Sequence, residues 1–156
     1  MFLVVRNTPS LLIPKELFQN EKIKEYWNVL YPCYPSENFG IDDLENFFLL
    51  YSKPNEEDSI HEISVLYKEF PGKFPNHEHA VCINVYEDGV SFLVIKDKSI
   101  AYTGYFKFSV NEEVLYHLTN IYQHYFENIY QVVFAYQQLS PAILRLLCNY
   151  YEMKKI

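Results

Sequence analysis

From Tyr86 to Leu93 the chain reads Tyr-Glu-Asp-Gly-Val-Ser-Phe-Leu, where a glycine and a nearby hydroxyl would let backbone amides approach a phosphate. Asp88, Gly89 and Ser91 are therefore the candidate phosphate-binding residues. A simpler account competes with that one. Asp-Gly between two alternating apolar runs signals a hairpin, because a type I′ turn needs positive φ at both central residues. Glu87 and Asp88 would also set like charges against a phosphate, with no Lys or Arg in the turn to offset them. The reading favoured here is a plain turn, with Gly89 at its centre and no cofactor. His77-x-His79, with Glu78 between, is the candidate metal pair, since residues two apart on a strand project to one face. Two imidazoles leave a zinc site one or two ligands short, and no His-Glu-x-x-His or cysteine pair completes it, so no metal is expected.

Other reactive groups fit bland roles. Asp42, Asp43 and Glu45 could supply a carboxylate pair, but an exposed turn explains them and lacks the desolvation that tunes a catalytic pKa. His117 and His124, seven residues apart, share a helix face as solvent-facing residues would. Cys33, Cys82 and Cys148 are odd in number and widely spaced, which implies neither a disulfide framework nor a zinc knuckle and suits a reducing cytoplasm. Cys82 and Cys148 fall on patterns that predict burial. There is no Gly-x-Ser-x-Gly, and the chain's four glycines form no phosphate loop.

Composition excludes whole classes. With 20 acidic and 13 basic residues the net charge is −7, and no basic stripe is present to track a nucleic acid backbone. Tyr and Phe number 15 and 12, which without a basic groove points to core and interface packing rather than base stacking. No apolar run approaches the roughly 20 residues a membrane helix needs, so no membrane is expected.

Periodicity describes the elements that would position these groups. Phe2–Arg6 reads as a strand, Pro14 as the first turn of a short helix, and Asn20 as the N-cap of a helix carrying Ile23, Tyr26, Trp27, Leu30 and Tyr31. Asn38–Leu44 and Phe47–Ser52 form a hairpin about Glu45-Asn46. A second helix begins near Asp58, with Glu56, Glu57 and Asp58 at its positive end, carries Ile60, Ile63, Leu66, Tyr67 and Phe70, and stops at Pro71-Gly72. Val81, Ile83 and Val85, then Val90, Phe92 and Val94, then Tyr102, Phe106 and Phe108 mark a three-stranded antiparallel meander. A helix capped by Ser109 and Glu112, a buried strand over Tyr130–Tyr136, and a helix begun by Ser140-Pro141 complete the chain.

This βββαβα order is that of a ribonuclease H-like unit, the half-domain duplicated in actin-like ATPases. The wording SLLIPKELF at Ser10–Phe18, FPNHEHAV at Phe74–Val81 and KSIAYTGYFKFSVNEEVLYHLTNIYQ at Lys98–Gln123 resembles an uncharacterised bacterial family with a divergent actin-like ATPase fold. The resemblance implies a mixed α/β fold, with residues 74–156 as the second half-domain, its βββαβα unit over about 80–155, and residues 1–73 as part of the first. Members of that family look longer, with a strand meander ahead of the segment matching Phe2–Phe18. The family brings no established activity.

The function expected is a non-enzymatic interaction or scaffold protein whose partner is another protein or a second copy. That partner would cover aromatic surface around Phe2, Trp27, Tyr31 and Tyr34. The alternative is a nucleotide-regulated switch with an incomplete site. A ribonuclease H-like nuclease would need carboxylates on the central strands, and Ala80–Tyr86 contains none.

Overall fold

The computed structural model describes residues 3–156. The first strand, β1 (Leu3–Val5), leads into β2 (Ser10–Pro14) and a 3-10 turn over Lys15–Leu17. Phe2, assigned above to that strand, lies outside the described residues. Pro14 ends a strand instead of sitting inside a helix. Asn20 does not cap the next helix: it starts a 3-10 turn, Asn20–Lys22, that runs into α1 (Ile23–Leu30). The hairpin β3 (Phe39–Leu44) and β4 (Phe47–Ser52) turns at Glu45-Asn46 as its alternation requires, with Glu45 at φ 58°.

The second helix departs from expectation at both ends. Residues Ser59–His61 form β5, which pairs in parallel with β1, so the acidic tract before it is a loop and α2 (Glu62–Lys73) begins only at Glu62. Three residues drawn into a ladder leave the helix to start where the ladder ends. At the other end Pro71 costs the helix one donor in its last turn, but Phe74 N–H still reaches Phe70 C=O at 2.9 Å, and α2 continues past Pro71-Gly72.

The meander follows as β6 (His79–Val85), β7 (Gly89–Lys96) and β8 (Ser99–Lys107), then α3 (Asn111–Tyr125), β9 (Val132–Tyr136), α4 (Pro141–Cys148) and β10 (Met153–Lys155). Together they make a five-stranded sheet in the order β8-β7-β6-β9-β10. β6–β7 and β7–β8 are antiparallel, while β6–β9 and β9–β10 are parallel, as expected of a ribonuclease H-like unit. The closing strand β10 was not legible in the sequence. The caps are mixed: Ser140 accepts from Ile143 N–H ahead of α4, but Val110 precedes α3, and Glu113, not Glu112, reaches back to the Ser109 amide at 2.8 Å.

Alternation sorts this sheet into two faces. Val81, Ile83, Val90, Phe92 and Val94 pack against Val114 and Leu118 of α3 and Ile143 and Leu147 of α4. On the opposite face Ala80, Cys82, Leu93 and Ile95 meet Ile63, Leu66 and Phe70 of α2. Each large side chain so buried contributes about 2 kcal/mol. A third cluster holds α1 on the separate sheet β2-β4-β3: Trp27 lies fully buried with Ile13 and Leu50, its indole N–H bonded to Tyr34 C=O at 2.6 Å. Tyr31 and Tyr34 join that cluster half-buried. Of the expected aromatic surface, Trp27 is therefore core and Tyr31 and Tyr34 are packed half-buried against it, folded back over their own sheet. The exposed large apolar residues of this region, among those described, are Leu17, Val29 and Leu30 around α1 and Ile41 on β3.

Candidate functional site

The β6–β7 turn is built differently from a type I′ hairpin. Gly89 does not take positive φ; it is the first residue of β7, paired to Lys107, and its carbonyl accepts from Tyr86 N–H at 2.8 Å. The primed geometry occurs at the next turn, where Asp97 and Lys98 have φ 52° and 64°. Gly89 serves a close approach instead. A Cβ there would collide with the side-chain oxygen of Asn7 and the ring of Tyr105, which lie over the turn.

Asp88 is exposed and already engaged. It accepts from Asn7 Nδ2 at 3.1 Å and from Lys107 Nζ at 2.9 Å. Those two contacts, Asn7 first, hold its carboxyl below the usual range. The cation that the turn lacks in sequence arrives from β8. Asn7 itself sits at φ 53°, a conformation asparagine tolerates, and receives the Tyr105 hydroxyl on its side-chain oxygen at 3.1 Å.

Ser91 points the other way, into a buried polar pocket that sequence reasoning missed. Its hydroxyl donates to Glu62 Oε2 at 3.2 Å, and the Asn7 backbone N–H donates to the same oxygen at 2.7 Å. Glu62 Oε1 accepts from Asn84 Nδ2 at 2.9 Å and from the Tyr86 hydroxyl at 3.0 Å. Glu62 is 1% exposed, and burial is the main reason its carboxyl titrates above the usual range, with the donors pulling it back. Asn84 is fixed in orientation because its oxygen accepts from the amides of Gln137 and Gln138. The pairing of β6 with β7 sets Asn84 directly opposite Ser91, both on the face toward α2. Two polar residues so matched inside apolar strands were the available signal.

Beside Glu62 lies a second satisfied carboxylate. The expectation that Asp42 belongs to a solvated turn fails, because strand alternation turns it inward to 7% exposure while Asp43 faces solvent and pairs with Lys15. Asp42 accepts from the His61 amide at 2.8 Å, the Ser64 hydroxyl at 2.6 Å and the Tyr51 hydroxyl at 3.1 Å. His61 is wholly buried at the start of α2; Nδ1 accepts from Ile63 N–H at 3.2 Å, so the neutral ring carries its hydrogen on Nε2 and donates to Thr8 C=O at 3.2 Å. Burial lowers its pKa to about 4.

The cluster of potential metal-ligating side chains found among the described residues includes His79 and not His77. His77 lies exposed in the loop before β6 with its ring near-perpendicular to that of Phe74, while His79 lies near Glu78 and Asp97, the three offering ligand atoms within 4.8 Å of one another. His79 Nδ1 accepts from Asp97 N–H at 3.2 Å, so in the neutral ring the proton sits on Nε2, the nitrogen 3.9 Å from Asp97 Oδ1. A protonated nitrogen offers no lone pair to a cation. His117 stacks on Phe106 at 4.3 Å, and burial lowers its pKa. Cys82 is buried as expected, its thiol pushed up to about 12, whereas Cys148, on the outer side of a short helix, is exposed against expectation; Cys33, for which no burial was expected, is also exposed.

The mixed sheet, with its strand order β8-β7-β6-β9-β10 and helices on both faces, has the actin-like ATPase fold. No family model matches the chain and no curated protein matches it. A crystal structure from Bacteroides thetaiotaomicron, described as a protein with an actin-like ATPase fold and unknown function, superposes with a TM-score of 0.79 at 13% identity, covering 99% of this chain and 66% of that one. This chain thus spans about two thirds of the length of that structure, and the likeness is one of fold. Among the described residues no helix is long and apolar enough to cross a membrane.

Proposed function

We propose that the chain is a non-enzymatic protein-interaction or scaffold module on a degenerate actin-like fold. One observation carries this reading: the groups beside the β6–β7 hairpin that would cradle a phosphate are spent on the chain itself. Ser91, Asn84, Tyr86 and the Asn7 amide all donate to Glu62, and Asp88 holds both Lys107 and the Asn7 side chain, the latter lying over Gly89. A nucleotide entering there would have to break these bonds and bring its own negative charge beside two carboxylates. The partner proposed is a protein, a second copy of this chain first, meeting the surface that Leu17, Val29 and Leu30 leave exposed. Titration calorimetry with Mg-ATP tests the reading: no measurable heat is expected, and a dissociation constant in the low micromolar range, about −8 kcal/mol, overturns it in favour of a nucleotide-bound switch.

A further inference from the structure

The donors around Glu62 come from separate parts of the chain, and three of the four, Asn7, Asn84 and Ser91, are held by contacts that do not involve Glu62. The Asn7 amide is aimed by a left-handed backbone, with its side chain pinned between Asp88 and Tyr105. The Asn84 amide group is oriented by the backbone of Gln137 and Gln138, and Ser91 is fixed opposite it in the ladder. Four neutral donors thus converge on one buried negative charge, and no cation forms an ion pair with it among the described residues. A pocket that stabilises charge with neutral dipoles alone suits a monoanion, because a second uncompensated charge would carry a further desolvation cost.

We propose that this pocket is a carboxylate-binding oxyanion site that the chain fills with its own Glu62, and that it accepts a small carboxylate monoanion from solution once that side chain is cut back. Glu62→Ala removes Cγ and the carboxylate, which are the heavy atoms of acetate. The same anion closes the structure: Asn7 follows β1, Glu62 opens α2, and Asn84, Tyr86 and Ser91 belong to the β6–β7 hairpin. A bound acetate should therefore restore the tie between these segments as well as fill space. The inference rests on the reading that the cleft's donors are spent on Glu62. ATP binding by the wild-type chain would overturn that reading, whereas the rescue below is read on the variant.

The test is thermal unfolding of the wild type, Glu62→Ala and Glu62→Leu in sodium acetate, formate, phosphate or chloride at matched ionic strength. In Glu62→Ala, acetate or formate at about 100 mM is expected to raise Tm by at least about 3 °C over chloride, saturably, as a ligand of the folded state does. The wild type and Glu62→Leu should show no such difference. Asn84→Ala added to Glu62→Ala should abolish the acetate effect. If Glu62→Ala does not fold in chloride, refolding yield in acetate against chloride reads the same question, with recovery expected in acetate alone. Equal behaviour in acetate and chloride overturns the proposal, and so does rescue by phosphate without rescue by acetate.

Discussion

His61 makes the stability of this fold depend on pH in a calculable way. The ring is fully buried, its pKa falls from an ordinary 6.5 to about 4, and its hydrogen bonds are those of the neutral form. Because the folded pKa lies below the unfolded one, protons bind the unfolded chain first as pH falls. Stability is therefore complete above about pH 7, declines through the window down to about pH 4, and loses nothing more from this group below it. At pH 5 the unfolded ring is protonated roughly thirty to one and the buried ring about one to ten, which corresponds to a loss of about 2 kcal/mol relative to pH 7.5. Glu62 acts in the opposite sense, since its raised pKa favours the folded state as pH falls. A control must therefore cancel it, and His61→Asn keeps an N-cap acceptor for the Ile63 amide while removing the titration. Urea unfolding followed by the fluorescence of the single, buried Trp27 gives both stabilities at pH 7.5 and pH 5. The advantage of wild type over His61→Asn should shrink by about 2 kcal/mol across that interval. Parallel pH profiles would refute a neutral buried imidazole.

Gly89→Val should destabilise by about 1–3 kcal/mol in the same urea assay, through collision with Asn7 and Tyr105 rather than through backbone strain. A smaller loss would mean that the hairpin tolerates a side chain beneath Asn7. Maleimide labelling of the native protein should modify Cys33 and Cys148 and spare Cys82 until the chain unfolds, as mass spectrometry of the labelled peptides would report. Light scattering after size exclusion across a tenfold dilution should give twice 18.7 kDa for the wild type and 18.7 kDa for Val29→Asp with Leu30→Asp. A wild-type mass of 18.7 kDa at every concentration removes the second copy as partner.

Period-2 alternation made the meander legible down to which residues share a strand face, because each of its strands is longer than a turn of helix and two of them, β6 and β7, are buried on both sides. Strands of three residues escaped. β5 lies directly against α2, so its Ile60 continues the helical stripe and the acids before it imitate a helix start; only pairing with β1 distinguishes the two, and that contact spans more than 50 residues. β10 hides after α4 for the same reason. The Asp-Gly signal misled because Gly89 is required by what lies above it, and Asn7 and Tyr105 are distant in sequence. Glu62 was lost among the polar residues around α2, since nothing in a single sequence tells a buried glutamate from a solvated one. His61 and Asp42 were missed on the same ground.

The carboxylate of Glu62 has a bearing on how the chain comes apart. Its donors lie 55, 22, 24 and 29 residues away, on segments that belong to three different stretches of backbone. If the start of α2 melted alone, the hydroxyls and the amide on the five-stranded sheet would face a void without an acceptor. If the hairpin frayed instead, a buried charge would be left bare, and either partial state costs about 1–3 kcal/mol for each orphaned group. Intermediates are thereby penalised from both directions. A fold read as two half-domains should melt in one cooperative step, with calorimetric and van't Hoff enthalpies equal, and that coincidence should fail first in a chain deprived of this single side chain.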